Sequence, residues 1–237
     1  MDKLGVVIPV LNQFIKALEC LDSVRTKLCW NFYFINNSKY NRGVAKAWNE
    51  GVRRAIDDGC NYIAILNDDI LLAPDTLDEM IYFISATEDC GVVTGSDLKE
   101  SIYYEDIYTW RKSRNNAPNE LLSLVVGSNY ACFLLTQETY RHIGAFDENF
   151  YPAYFEDCDY SYRTILSGLR VYGLQSAGFY HFHGQTNKSA YNNDSVIVDM
   201  KTMEKNKNYY ISKWGGNYGK ELFKTPFNDP GKRWDDW

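Results

Sequence analysis

The run Leu4-Gly5-Val6-Val7-Ile8-Pro9-Val10 is apolar along its whole length, and a strand of that kind must be covered on both faces. That requirement points to a central strand of a parallel sheet, ending at Pro9, with helices packed above and below it. The next segments fit. From Phe14 to Leu28, apolar residues at Ala17, Leu18, Leu21 and Val24 suit a helix laid on that strand. Asn31-Phe32-Tyr33-Phe34-Ile35 is strand-like, Gly43 to Ile56 is helical, and Tyr62-Ile63-Ala64-Ile65-Leu66 is strand-like again. Repeated β-α-β units predict an α/β fold with a parallel sheet and right-handed crossovers.

Further on, Pro74 falls in the first turn of a predicted helix reaching about Ser85, with Asp75, Asp78 and Glu79 near its positive end. A strand Gly91–Gly95 follows. Regularity then drops from Ser96 to Leu122, and Arg111 to Pro118 reads as a loop of the kind that contacts substrate. The uncharged stretch from Leu121 to Gln137 is short for a bilayer span and is broken by Ser123, Gly127, Ser128 and Asn129. It reads as two buried strands around a turn, the second near Tyr130 to Leu135. Helices are expected around Gln137–Ile143 and from about Asp159 to Ser167, the latter closed by Gly168. β character resumes at Val171–Leu174 and Gly178–Phe182, and an amphipathic helix spans Val196 to Trp214. Without internal repeats or low-complexity linkers, the 237 residues are expected to form one domain.

Charge narrows the ligand. With 25 Lys and Arg against 31 Asp and Glu, the formal charge is -6, which argues against a nucleic-acid partner. An acidic small molecule such as a phosphate ester would need a metal ion, a helix N-terminus or a few placed cations. The six cysteines, Cys20, Cys29, Cys60, Cys90, Cys132 and Cys158, form no Cys-x-x-Cys pair and read as buried thiols of a reducing compartment. With no signal-peptide pattern after Met1-Asp2-Lys3, a cytoplasmic protein is expected, touching membranes only peripherally.

Three clusters carry the chemistry. Ile65-Leu66-Asn67-Asp68-Asp69-Ile70 ends a strand on two adjacent carboxylates, where ligands of parallel sheets gather. Their repulsion is relieved by a divalent cation that prefers hard oxygen ligands and shares them with substrate phosphates. Taken alone, the same residues fit an Asn-Asp turn capping the Pro74 helix equally well. The second cluster, Glu156-Asp157-Cys158-Asp159, puts three acids at the start of a helix amid aromatic residues. Any one of them fits an N-cap or a surface position, but the apolar flanks favour a partly buried carboxylate able to act as a general base, with Arg163 one turn on as its structural partner. The third is His181-Phe182-His183, two of only three histidines, whose alternation puts both imidazoles on one strand face. They are candidate ligands or a hydrogen-bonded pair, whereas His142 reads as structural.

In this order, the clusters resemble the inverting family 2 glycosyltransferases of GT-A fold, in particular the rhamnosyltransferase-like group. The opening Val6 to Asn12 is similar to that family's first nucleotide-binding strand. Asn36-Asn37-Ser38 and Asn41-Arg42-Gly43 through Asn49-Glu50-Gly51 resemble the segment bordering the base pocket. Asn67-Asp68-Asp69 stands where the family has its Asp-x-Asp motif. Gly144-Ala145-Phe146-Asp147-Glu148, leading into Glu156-Asp157-Cys158-Asp159, resembles the acceptor side, and Lys213-Trp214-Gly215 also matches the family's look. The resemblance covers about residues 4 to 186. Two departures stand out: Asn36 where the family often has Asp, and Asn67 in place of the first acid of the metal motif.

The resemblance implies a Rossmann-like, mostly parallel sheet with a small antiparallel extension on the acceptor side. It also implies a nucleotide-binding half over about 1–95, an acceptor half over about 96–190 and a helical tail over about 191–237. Pro9, Val10, Asn12, Asn36, Asn37, Arg42, Gly43, Asn49, Asn67 and Asp68 would border the donor, a UDP-, dTDP- or GDP-linked sugar. Asp69 would hold Mn or Mg with His183 or His181. Asp157 would take the proton of the acceptor hydroxyl of a glycan, lipid-linked or protein acceptor, with Glu156 positioning hydroxyls. The 19 Tyr, 12 Phe and 6 Trp supply sugar-stacking surfaces, although most serve ordinary packing. The competing readings are a nucleotidyltransferase, for which no Gly-rich phosphate loop is present near the first strand, and a catalytically silent carbohydrate-binding module of the same fold.

Overall fold

A computed structural model describes residues 2–98, 121–122, 130–182 and 200–236. The element order is β1 (Lys3–Val10), α1 (Phe14–Asp22), β2 (Cys29–Asn36), α2 (Val44–Asp57), β3 (Tyr62–Leu66), β4 (Ile70–Leu72), α3 (Thr76–Ala86), β5 (Cys90–Asp97), β6 (Leu121–Leu122), β7 (Cys132–Thr136), α4 (Gln137–Ile143), α5 (Glu156–Leu166), β8 (Arg170–His181) and α6 (Met200–Trp214). The strands form one sheet in the order β2-β1-β3-β7-β5-β8-β4, with β6 paired to β8. β2, β1, β3, β5 and β8 run in one direction, while β7, β4 and β6 oppose them. The sheet is thus mostly parallel, with its reversed strands in the half that follows β3.

Alternation in β1 explains the two-sided cover. Leu4, Val6, Ile8 and Val10 face a core shared with Ala17 and Cys20 of α1 and Leu77, Met80 and Ile84 of α3. Val7 faces the opposite layer, with Ala47, Trp48 and Val52 of α2 and Ile143 of α4. A third cluster of Phe150, Tyr162, Tyr210 and Trp214 joins α5 to α6. Gly51 lets α2 lie directly on β1, because a Cβ there would run into Val7 Cγ1.

Several boundaries differ from the sequence reading. β1 runs through Pro9 to Val10; pairing with β3 stops at Val7, so the proline, which has no N–H, lies past the last paired residue on that side. α1 ends at Asp22 rather than Leu28, because the Ser23 hydroxyl donates to the Cys20 carbonyl and accepts from the Leu72 N–H, turning the chain toward β2. Pro74 precedes α3, whose N-cap is Asp75. α5 starts at Glu156, three residues early, so Asp159 lies inside the helix rather than at its cap. The two late strands are one, β8, whose register to β5 jumps from Thr94↔Gly173 to Ser96↔Gly178. α6 is described only from Met200, and the loop 111–118 lies outside the described residues. All six cysteines are free; Cys20, Cys60, Cys90 and Cys132 are buried as expected, Cys158 is half-buried and Cys29 is exposed.

Candidate active site

Chain direction assembles the site. β1, β2, β3, β5 and β8 deliver their carboxyl ends to one edge of the sheet, and the opposing β7 begins there. α5 leads into β8 from the far edge, so its N-terminus lies at the near one, beside those carboxyl ends. Asn67, Asp68 and Asp69 therefore share an edge with Glu156 and Asp157, although the two groups are far apart in sequence.

The turn after β3 is tied down on three sides. The Asn67 N–H donates to the Ala131 carbonyl at 2.8 Å, the Leu11 N–H to Asp68 Oδ2 at 3.3 Å, and the Phe182 N–H to the Asp69 carbonyl at 2.9 Å. Both acids are 4% exposed. His181 Nε2 lies 3.1 Å from Asp69 Oδ1, and its Nδ1 faces Asp97 Oδ2 at 3.8 Å. Two ligands at right angles on a small divalent cation would lie about 3.0 Å apart at a bond length of roughly 2.1 Å. The same 3.1 Å is an ordinary hydrogen-bond distance, so Asp69 and His181 are a hydrogen-bonded pair whose spacing a cation could take over, and Asp97, at 3.8 Å, lies beyond hydrogen-bond reach of the imidazole. Among the described residues no three His, Cys, Asp or Glu side chains form a ready cage. His183 lies outside the described residues. Asp97 was missed in sequence, although its place at a strand's carboxyl end was the available signal.

Beside this turn, Asn37 and Arg42 build the rim. The Asn37 N–H donates to the Val10 carbonyl at 2.8 Å, the Asn12 N–H to Ser38 Oγ at 2.9 Å, and the Ser38 N–H to Asn36 Oδ1 at 2.8 Å. Asn12 takes a left-handed φ of 62° to make that bend. Asn37 Nδ2 donates to the Gly43 carbonyl, and Arg42 Nε to Asn37 Oδ1, both at 3.2 Å. Gly43, at φ 89°, has no room for a side chain against Tyr151 and Pro152. Arg42 Nη1 is held by Glu50 at 2.6 Å, so an incoming diphosphate would compete with that carboxylate.

One candidate is elsewhere. Asn49, 1% exposed, donates from Nδ2 to the Phe146 carbonyl and Glu148 Oε1, while its Oδ1 accepts from the Phe146 N–H and the Tyr140 hydroxyl. Both ends of the amide are engaged, so Asn49 ties α2 to the 146–148 turn and has nothing to offer a donor.

At α5, Tyr154 and Phe155 both hold left-handed φ values, 78° and 74°, just before the acids. Such residues cost on the order of 1–3 kcal/mol each and mark a turn whose surroundings over-determine it. Asp157 is half-buried, and its Oδ1 accepts from the Cys158 N–H at 2.8 Å. Burial raises its carboxyl above the ordinary Asp value, against the opposing pull of that hydrogen bond. Glu156 is 5% exposed; burial, with Asp157 adding to it, pushes its carboxyl well above the ordinary Glu range. The link between the two acid groups is Tyr130, next to Ala131: its hydroxyl pairs with Ser161 Oγ at 2.9 Å, one helical turn below Asp157.

The remaining acids of these motifs are structural. Asp159, fully buried, binds Arg163 Nε at 2.8 Å, Lys213 Nζ at 2.7 Å and Trp214 Nε1 at 2.8 Å. Lys213 also binds Asp147 at 2.8 Å, and Arg163 donates to the carbonyls of Ile143 and Ala145. Burial alone would raise the Asp159 carboxyl, but Lys213 and Arg163 outweigh it and hold it below the ordinary value. This neutral quartet bolts α6 onto α5 and explains the Asp147, Asp159 and Lys213-Trp214 motifs without substrate.

Residues 27–144 match the family described as glycosyl transferase family 2. A galactofuranosyl glycosyltransferase of Leishmania donovani is 25% identical over 185 residues, 63% of this chain and 43% of that protein, so the match spans less than half of the relative's length. Among solved structures, the catalytic domain of Drosophila β1,4-galactosyltransferase 7, in complex with xylobiose, superposes with a TM-score of 0.57 at 17% identity, covering 97% of this chain and 84% of that one. The mannosyltransferase PcManGT of Pyrobaculum calidifontis, in complex with GDP-Man and Mn2+, gives 0.53 at 16% identity over 87% and 69%. The fold is that of the GT-A-like glycosyltransferases. The likeness to that family covers residues 27–144, just under half of the chain.

Proposed function

We propose that the chain acts as a metal-dependent, inverting glycosyltransferase that moves a sugar from a nucleoside-diphosphate donor to an acceptor hydroxyl. The observation that carries this reading is the convergence of the β3 turn and the α5 N-terminus on one sheet edge, bridged by Tyr130 and Ala131. Asp69 and His181 would hold the cation, with His183 as a further candidate. Pro9, Val10, Asn12, Asn36, Asn37, Arg42, Gly43, Asn67 and Asp68 would line the donor. A bound divalent cation would offset the charge that develops on the leaving diphosphate.

Asp157 is the proposed general base. It takes the acceptor hydroxyl's proton as that oxygen attacks the anomeric carbon from the face opposite the diphosphate, so configuration inverts in one displacement. Burial raises its carboxyl above the ordinary Asp value, which makes the carboxylate a stronger base. Glu156 would position hydroxyls. The names of similar proteins widen the sugars to test, from rhamnose, glucose, galactose and amino sugars to galactofuranose and mannose. Acceptors are a glycan, a lipid-linked sugar or a protein side chain. A cytoplasmic setting is part of the proposal; among the described residues no helix is long and apolar enough to cross a membrane.

The test is release of nucleoside diphosphate from a panel of nucleotide sugars with Mn and acceptor. Asp157→Asn should lower turnover about 10²–10⁴-fold while donor binding persists. A variant turning over at the wild-type rate would remove Asp157 from the role.

A further inference from the structure

Among the described residues, β2 is the terminal strand of the sheet and is bonded only to β1. The Asn37 N–H donates to the Val10 carbonyl, which fixes the phase of the strand. Asn31, Tyr33 and Ile35 turn their backbone groups toward β1, so the N–H and C=O groups of Trp30, Phe32, Phe34 and Asn36 point outward. An edge of this length is ordinarily protected by Lys, Pro, a bulge or a covering helix. The sequence Cys-Trp-Asn-Phe-Tyr-Phe-Ile-Asn has no charge and no proline, and its register to β1 is unbroken.

A second feature adjoins this edge. Phe32 is 52% exposed, and α1 adds Phe14 at 49%, Ile15 at 70% and Leu18 at 44%. The rings form one row: Phe14 to Phe34 is 5.3 Å between centroids and Phe34 to Phe32 is 5.4 Å. The apolar patch therefore runs from the helix onto the outermost strand.

We infer that the β2 edge and the adjoining Phe14–Ile15–Leu18–Phe32 patch form a two-fold interface between two copies of this chain, joined by antiparallel β2–β2 pairing into a continuous sheet. An outward row of amides and carbonyls calls for a polypeptide strand, which a lipid surface cannot supply. Because β2 is uncharged, pairing it with itself sets no like charges against each other, as an isologous contact requires. The patch also lacks the cluster of Lys and Arg that an anionic membrane would select: Lys16 is already paired with Glu19, and the chain carries a net charge of -6. Half-exposed aromatic rings such as Phe14 and Phe32 would each bury on the order of 100 Å², and the paired backbone adds to this. A standard interface needs about 800 Å² per partner, so the pairing is expected to be concentration-dependent rather than obligate. The inference is independent of the sugar, the cation and Asp157.

Sedimentation velocity from about 1 to about 100 µM should show a monomer–dimer equilibrium. Across that range, hydrogen exchange should slow at the amides of Trp30, Phe32, Phe34 and Asn36, but not at those of Asn31, Tyr33 and Ile35. Phe32→Lys, at an exposed position, should weaken association at least tenfold with the circular dichroism spectrum unchanged. Ile15→Lys should act in the same direction, whereas Leu222→Lys, on a 74% exposed residue away from this edge, should have no effect. A monomer at every concentration, a dimer insensitive to both Phe32→Lys and Ile15→Lys, or protection absent from the four outward amides would each overturn the inference. So would a monomer that binds neutral phosphatidylcholine vesicles through Phe32.

Discussion

Lys213→Met removes the one cation shared by Asp147 and Asp159 and replaces it with an uncharged chain of similar length. All three side chains are fully buried, with contacts of 2.8 and 2.7 Å, so water cannot take over from the ammonium. Arg163 remains as the sole cation against two carboxylates. Breaking a buried pair in this way costs about 3–5 kcal/mol, out of a total stability of roughly 5–15 kcal/mol. At about 2–4 °C per kcal/mol for a chain of this size, the melting temperature should fall by roughly 6–20 °C in calorimetry. Adding Asp147→Asn leaves Asp159 paired with Arg163 and restores neutrality, so the double variant should be less destabilised than the two single costs summed, by about 1 kcal/mol or more. Acid unfolding gives a second readout. A carboxyl held below its ordinary value contributes stability above about pH 3.9, and loses it as pH falls through the lowered value. Without Lys213 the Asp159 value rises, so acid unfolding should begin at higher pH. Single costs that add within about 0.5 kcal/mol, or an unshifted acid limb, would refute the account of the quartet as a charge-balanced unit.

Glu156 carries the opposite sign. Its raised carboxyl favours the fold below the ordinary value of about 4.3, and that contribution is lost as pH rises toward the folded value. Glu156→Gln should therefore raise the melting temperature at alkaline pH and leave it unchanged near pH 4, as read in a thermal-shift series. If Asp157 is the base, kcat/KM should fall as pH drops through a value above the ordinary Asp range, and the residual activity of Asp157→Asn should lack that limb. Asp69→Ala should abolish Mn-dependent donor binding in calorimetry, and unchanged affinity would count against the cation site. Gly51→Ala should destabilise by about 1–3 kcal/mol in urea titration, because its methyl group meets Val7 with no free space between α2 and β1.

The legible parts of the chain are those where local chemistry decides. β3 falls on Tyr62–Leu66 as expected because its apolar run is bounded by polar residues on both sides. α4 falls on Gln137–Ile143 because Thr136 accepts the Thr139 N–H at one end and Gly144, at φ 88°, stops it at the other. α5 was placed three residues late because its start has no side-chain cap: Phe155 reaches the N-cap by a left-handed turn that no residue preference announces. Pairings across the chain were illegible for a different reason. Asp147 and Lys213 are 66 residues apart, and Asn49 meets Phe146 across 97. Periodicity says nothing about such distances, so motif acids and amides that lock elements together looked the same as those that face a ligand. Asp69 and His181 were named as possible partners, and their 3.1 Å contact is the point at which strand order, not spacing, brings them together.

The end of the chain is built into the body of the protein. Trp234 meets the His142 ring edge-on at 5.7 Å and packs against both the α2 layer and the α5–α6 cluster. At Gly144, a methyl group would come within 2.8 Å of the Asp235 carbonyl. Clipping the polypeptide after Lys232 would strip a ring from two hydrophobic layers at once and open a notch beside the helix that carries His142.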